Sequence, residues 1–214
     1  MSDARAEALR RGVRLEVLTI AWMAAEAALA IGAGIAARSV LLTAFGADSV
    51  IELLSGVVLY RRLASESEDD VERLEASAIR ISAILLAFLC GYVLLSTVAG
   101  VVLRVEPTPS GLGIAVSAAA LIAMPLLARA KRRVNRVLDS PSLRADIAET
   151  VSCAYLAAVT LGGVAVAALT GWWWIQYVAA FALLAWLIPE AREALEAWRH
   201  NGLNHGGKGI DRHD

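Results

Sequence analysis

Phe45-Gly46-Ala47-Asp48-Ser49-Val50-Ile51-Glu52 places two carboxylates four residues apart inside an apolar run that extends from Val40 to Tyr60. A spacing of four puts Asp48 and Glu52 on one face of a helix, one turn apart. A charged side chain at the centre of a bilayer costs roughly 2.5–3.5 kcal/mol on insertion scales. Two on one face therefore predict that this face meets protein or water, since lipid offers a carboxylate no partner.

A second pair follows in Arg144-Ala145-Asp146-Ile147-Ala148-Glu149-Thr150-Val151-Ser152-Cys153, where Glu149 and Cys153 have the same spacing. The chain between and around these pairs is 58% hydrophobic and only 19% charged, with a mean hydropathy of +0.60. A soluble helical bundle needs a polar stripe along most of its helices. The stretches 81–103 and 155–169 carry no charged residue at all. Apolar stretches of about 20 residues are the signature of membrane-spanning helices. The fold class read from this pattern is an all-α membrane protein with six transmembrane helices in one bundle and no soluble domain.

The six spans are expected at 13–37, 39–60, 77–103, 111–128, 142–170 and 172–191. They leave an N-terminal tail of residues 1–12 and a short C-terminal tail, 192–214, expected to be helical at first and disordered from Gly202. Two connections are charged, 61–75 and 129–139. The others, around Arg38, over 104–110 and at Gly171, are short and nearly uncharged. All but two of the 20 Lys and Arg residues fall on the side of the tails and the charged connections, the exceptions being Arg38 and Arg104. Lys and Arg accumulate in cytoplasmic loops, so both termini are expected in the cytoplasm, as in a multi-pass protein of the bacterial inner (plasma) membrane. Trp172-Trp173-Trp174 then falls at an outer interface, where indole rings concentrate. Ser140-Pro141 reads as a helix start, with a capping hydroxyl before a proline at the first helical position.

Several classes are not expected. A net charge of -1 gives no reason to look for a nucleic-acid partner. Cys90 and Cys153 both sit in apolar runs and do not form a disulfide framework. The polar N-terminus shows no short apolar region with a cleavage site, so no signal peptide is expected to be removed. No glycine-rich phosphate loop, hydrolase triad or haem motif appears, and the chain does not read as an enzyme.

The chemistry lies in the two pairs. Counting down span two to Arg61, Glu52 is 9 residues from the inner end and Asp48 is 13. Counting up span five from Pro141, Glu149 is 8 residues in and Cys153 is 12. The two helices run antiparallel, so Glu52 is expected level with Glu149, and Asp48 with Cys153. If the spans are neighbours, Asp48, Glu52, Glu149 and Cys153 converge as four ligands. Four ligands suit a tetrahedral divalent ion. Carboxylates accept zinc, manganese or iron(II), and a thiolate favours softer ions such as zinc, cobalt or cadmium. Protons compete with the metal for such donors.

Other residues have two readings each. Cys153 is also a good small apolar filler. Asp146, nearer the interface, is a helix N-terminal charge or an entry-path residue before it is a ligand. Glu26 lies at the depth of Asp48 and is a possible accessory group, as a proton acceptor or as a partner for another polar side chain. Glu16 is expected to be solvated near the inner surface. His200, His205 and His213 form a thin histidine tail that reads mainly as a flexible polar end, and the acidic run 66–72 reads as a solvated loop. Gly100, four residues after Ser96, and the pair Gly162-Gly163 permit close helix approach, within the bundle or at a dimer face.

These residues also resemble the transmembrane domain of the cation diffusion facilitator family. Ser39-Val40-Leu41-Leu42 leading into Ala47-Asp48-Ser49-Val50-Ile51-Glu52 is similar to that family's second-helix motif, a Ser-x-x-Leu run followed by His/Asp-Ser-x-x-Asp. Leu143-Arg144-Ala145-Asp146 with Glu149 and Cys153 is similar to its fifth-helix motif, Leu-x-Ala-Asp-x-x-His/Asp-x-x-x-Asp. Glu52 stands where the family usually has Asp, Glu149 where it has His or Asp, and Cys153 where it has Asp. The family's cytoplasmic metal-binding domain has no counterpart here. The resemblance implies a homodimer that exports a divalent cation, such as zinc, manganese, iron or cobalt, by alternating access in exchange for protons. A relative that senses metal or serves as a partner subunit without transporting is the alternative.

Overall fold

The computed structural model describes the backbone of residues 3–64 and 68–207, and side chains outside 3–4, 63–64, 68–79, 141–142, 197–198 and 200–207. Six helices follow one another: α1 (Asp3–Ala37), α2 (Val40–Ala64), α3 (Glu68–Val102), α4 (Gly111–Leu138), α5 (Pro141–Thr170) and α6 (Ile175–Gly207). Among the described residues, five of them, α1 to α5, are long and apolar enough to cross a membrane. The apolar part of α6 ends at Pro189-Glu190, and the helix then continues through charged residues.

The four reversals whose residues are described are short and have local causes. Arg38, Arg104, Asp139 and Gly171 all take the left-handed conformation, which ends a helix by turning its last carbonyls toward new donors. Ser110 and Ser140 cap α4 and α5 through their side-chain oxygens, and Pro141 occupies the first turn of α5, as the sequence indicates. The three nearly uncharged connections lie together at one end of the bundle. The Thr108 amide donates to the Ala37 carbonyl at 2.9 Å, Tyr177 Oη to the Val105 carbonyl at 2.6 Å, and Ser39 Oγ to Gln176 Oε1 at 2.6 Å. The first residues of α1 and the last of α6 are consequently at the other end.

Packing follows from small residues and outward-facing apolar ones. The helices form a ring in the order α1, α4, α5, α6, α3 and α2, and α2 also touches α5 and α6 across it. The main core gathers Ala30, Leu41, Phe45, Val93, Ala120, Leu156, Leu183 and their neighbours from all six helices. On α4 the buried residues Val116, Ala120, Met124, Leu127, Lys131, Val134 and Leu138 recur every three or four positions, so one face packs inward. The opposite faces are apolar too. Phe88 is 74% exposed, Leu95 72% and Leu169 86%, as lipid-facing side chains are. Gly100 lies against the Tyr177 ring and Gly163 against Leu41 and Ala179, whereas Gly162 meets nothing. Gly100 and Gly163 therefore serve packing inside the bundle.

Several expected boundaries move. α2 extends to Ala64 and α4 to Leu138, so the charged connection over 129–139 is mostly helix and carries its cations along one helical end. α6 begins at Ile175, after the three tryptophans, of which Trp172 and Trp174 stack at 5.6 Å. It also continues to Gly207, past the Gly202 where disorder was expected. The side chains of His200 and His205, all of His213 and the side chains of the acidic run 66–72 lie outside the described residues.

Candidate functional site

α2 and α5 are neighbours, and one hydrogen bond shows their register: Ser55 Oγ donates to Glu149 Oε1 at 3.1 Å. The Cys153 thiol is in hydrogen-bonding contact with Glu52. Glu149 is thus level with Ser55, not Glu52, and Cys153 with Glu52, not Asp48. The offset is about one helical turn, near 5 Å. Its cause is that α2 runs on at least to Ala64, three residues beyond the Arg61 from which depth was counted. The two pairs still share one wall of the bundle.

That wall bounds a cavity of about 770 Å³ between α2, α3, α5 and α6. Asp48, Glu52, Asp146, Glu149, Glu190 and Glu193 line it, along with Arg62. The lining runs from buried Asp48 to exposed Arg62 and Glu193, so the cavity opens at the end of the bundle where α1 begins and α6 ends. Its walls are helical stripes: 48, 51, 52, 55, 59 and 62 on α2, and 145, 148, 149 and 152 on α5. Cys153 is absent from that lining. A residue four after Glu149 is rotated about 40° from it, and here that rotation carries the thiol behind the wall. Cys153 is fully buried beside Met23, Met124 and Leu127, with Sγ 4.0 Å from Glu26 Oε1.

The acids differ in how they are satisfied. Glu26 accepts from Ser49 Oγ at 2.8 Å and from Trp22 Nε1 at 2.6 Å, and so ties α1 to α2 at the depth expected of it. Asp146 accepts from Lys131 Nζ at 2.6 Å, and the same ammonium lies 3.1 Å from Glu16 Oε1. Glu16 and Lys131 are both 0% exposed, so the expectation of a solvated Glu16 is corrected. A carboxylate near an interface can leave water when a cation from another helix meets it, and Lys131 on α4 does this. Arg144, on the turn of α5 before Glu149, pairs with Asp139 at 2.9 Å.

Asp48 is 4% exposed and makes no hydrogen bond or ion pair with another described residue. Glu52 Oε2 is buried and equally without a hydrogen-bond partner. Among the described residues, no three His, Cys, Asp or Glu side chains stand close enough to hold a metal ion as they are. Glu190 was not singled out from the sequence. It faces the cavity one residue after Pro189, held by Trp186 Nε1 at 3.1 Å and by Ser152. The signal for it was the same as for Asp48 and Glu52: an acid on the i, i+4 stripe of an apolar helix, here following Trp186. No protein-family model matches this chain, and no curated protein does either.

Proposed function

We propose that this chain is a membrane transporter for a divalent metal cation, which it exports in exchange for protons by alternating access. The observation that supports the reading is Asp48: a buried carboxylate without a partner among the described residues, inside an apolar bundle, on the wall of a cavity shared with Glu52 and Glu149. A buried carboxylate without a cation or a donor is costly, and a bound cation removes that cost. The cavity opens at the end carrying most of the Lys and Arg residues, which the positive-inside rule puts in the cytoplasm. In this reading α6 crosses the bilayer with the other five helices, and both termini are cytoplasmic.

Zinc, manganese, iron(II) or cobalt enters from the cytoplasm and displaces protons from the carboxylates. Motion of the bundle then turns the site outward, and protonation there releases the ion. A homodimer in the lipid bilayer is the expected assembly. The test is metal flux into proteoliposomes, wild type against Asp48→Asn, run metal by metal. Flux of at least one metal that Asp48→Asn reduces to background is the expected outcome; equal flux by both proteins refutes the site. Metal binding without flux marks a sensor or partner subunit instead.

A further inference from the structure

Two of the three helices that carry acids into the cavity contribute to the site read from sequence, and the third, α6, does not. On α6 the cavity-facing stripe is Ala185, Trp186, Pro189, Glu190, Glu193 and Ala194. Proline has no N–H, so Pro189 cannot donate to the carbonyl four residues earlier. That carbonyl belongs to Ala185, which lines the same cavity. A carbonyl oxygen left without its helical donor next to an acid is how interrupted membrane helices present oxygens to ions. Glu190 shares the cavity wall with Asp48, Glu52 and Glu149.

The fourth donor expected from sequence is placed differently. Cys153 is fully buried, lies off the cavity wall, and its thiol is engaged by Glu26 and Glu52. Asp48 and Glu52 meanwhile line the cavity, Glu52 Oε2 buried without a hydrogen-bond partner and Asp48 with none among the described residues.

We propose that α6 completes the cation site: motion of the bundle draws Glu190 and the Ala185 carbonyl onto the ion together with Asp48 and Glu52, three acids that do not yet stand within ligand distance of one another, and Cys153 is not a ligand. The inference rests on the cavity being a cation site. It makes the donor set all oxygen, which selects against soft ions such as cadmium and toward manganese or iron(II). Cys153 then acts as a positioning residue that orients Glu52.

The experiment is equilibrium binding of Mn²⁺, Co²⁺, Zn²⁺ and Cd²⁺ to the purified full chain in detergent, with Mn²⁺ followed by electron paramagnetic resonance. Glu190→Gln is expected to weaken Mn²⁺ binding at least tenfold, and Cys153→Ala to change it less than about threefold. Mn²⁺ binding that Asp48→Asn abolishes but Glu190→Gln leaves intact overturns the role of α6 and spares the cavity. A wild-type chain that binds none of the four ions overturns both. If Glu190→Gln does not fold, Glu190→Cys decides: a thiolate on the ion is expected to raise the Cd²⁺ to Mn²⁺ preference at least tenfold. An unchanged preference overturns the proposal, since a merely structural Glu190 would not move it.

Discussion

Ser55 Oγ and Glu149 Oε1 lie 3.1 Å apart, joining α2 to α5 one turn closer to the end of the bundle where α1 begins and α6 ends than Glu52 does. This bond sets which acids face each other. A short thiol cross-linker is expected to join cysteines placed at 55 and 149 at least tenfold faster than cysteines at 48 and 149, which are about two turns out of register. Equal rates would mean that the two helices slide or are not neighbours.

Lys131 is the cation for two buried carboxylates on two other helices, Glu16 and Asp146. Lys131→Met leaves both acids without it. Removing one partner from a buried ion pair costs about 3–5 kcal/mol. The variant is expected to unfold at a clearly lower temperature in detergent, and an unchanged transition would show that the cluster does not hold α1, α4 and α5 together.

Glycines that look alike in the sequence should behave oppositely. A Cβ on Gly46 would come within 2.7 Å of the Ile31 amide nitrogen, backbone that cannot swing aside, whereas one on Gly162 meets nothing within 4 Å. Gly46→Ala is expected to destabilise by about 1–3 kcal/mol through overpacking. Gly162→Ala is expected to be neutral or stabilising by up to about 1 kcal/mol, from helix propensity alone. Thermal unfolding of the two variants side by side checks both signs.

Cys153 has no exposed surface and Cys90 is partly exposed. In a Cys90→Ala background, a membrane-permeant maleimide is expected to leave the folded chain unlabelled and to react fully after denaturation. Rapid labelling of the folded protein, slowed by added metal, would put the thiol in the cavity.

Carboxylates bind a metal only when deprotonated, so loading the cavity releases protons and the apparent metal affinity falls as the medium is acidified. Calorimetry of Mn²⁺ binding in two buffers with different ionisation enthalpies should return a positive number of protons released. Identical heats in both buffers would remove the proton coupling.

Much of the site was legible because its signals are local. Asp48 and Glu52 share a stripe by helical periodicity, and the apolar context says that the stripe avoids lipid. Glu26 was placed at the right depth because α1 and α2 are joined by a tight turn at Arg38 and Ser39, which leaves little room for error in counting. The α2–α5 count failed by one turn because Arg61 and Arg62 look like a helix end, yet α2 continues to Ala64. Charged residues in the last turn favour a helix C-terminus electrostatically rather than ending the helix. Glu190 was passed over because it follows a proline and precedes charged residues, a pattern shared with ordinary helix exits.

The sequence alone determined the class of the molecule: six helices, short reversals gathered at one end, and acidic stripes on α2 and α5. Hydropathy, 3.6-residue periodicity and capping act within a few residues, so one chain suffices to read them. Only the tertiary structure decided that Lys131 bridges Glu16 and Asp146, that Cys153 turns behind the cavity wall, and that Glu190 faces into it. Those outcomes depend on how helices distant in sequence are rotated and shifted against each other. A rotation of 40° or a slide of one turn changes every partner while leaving the local pattern of each helix untouched.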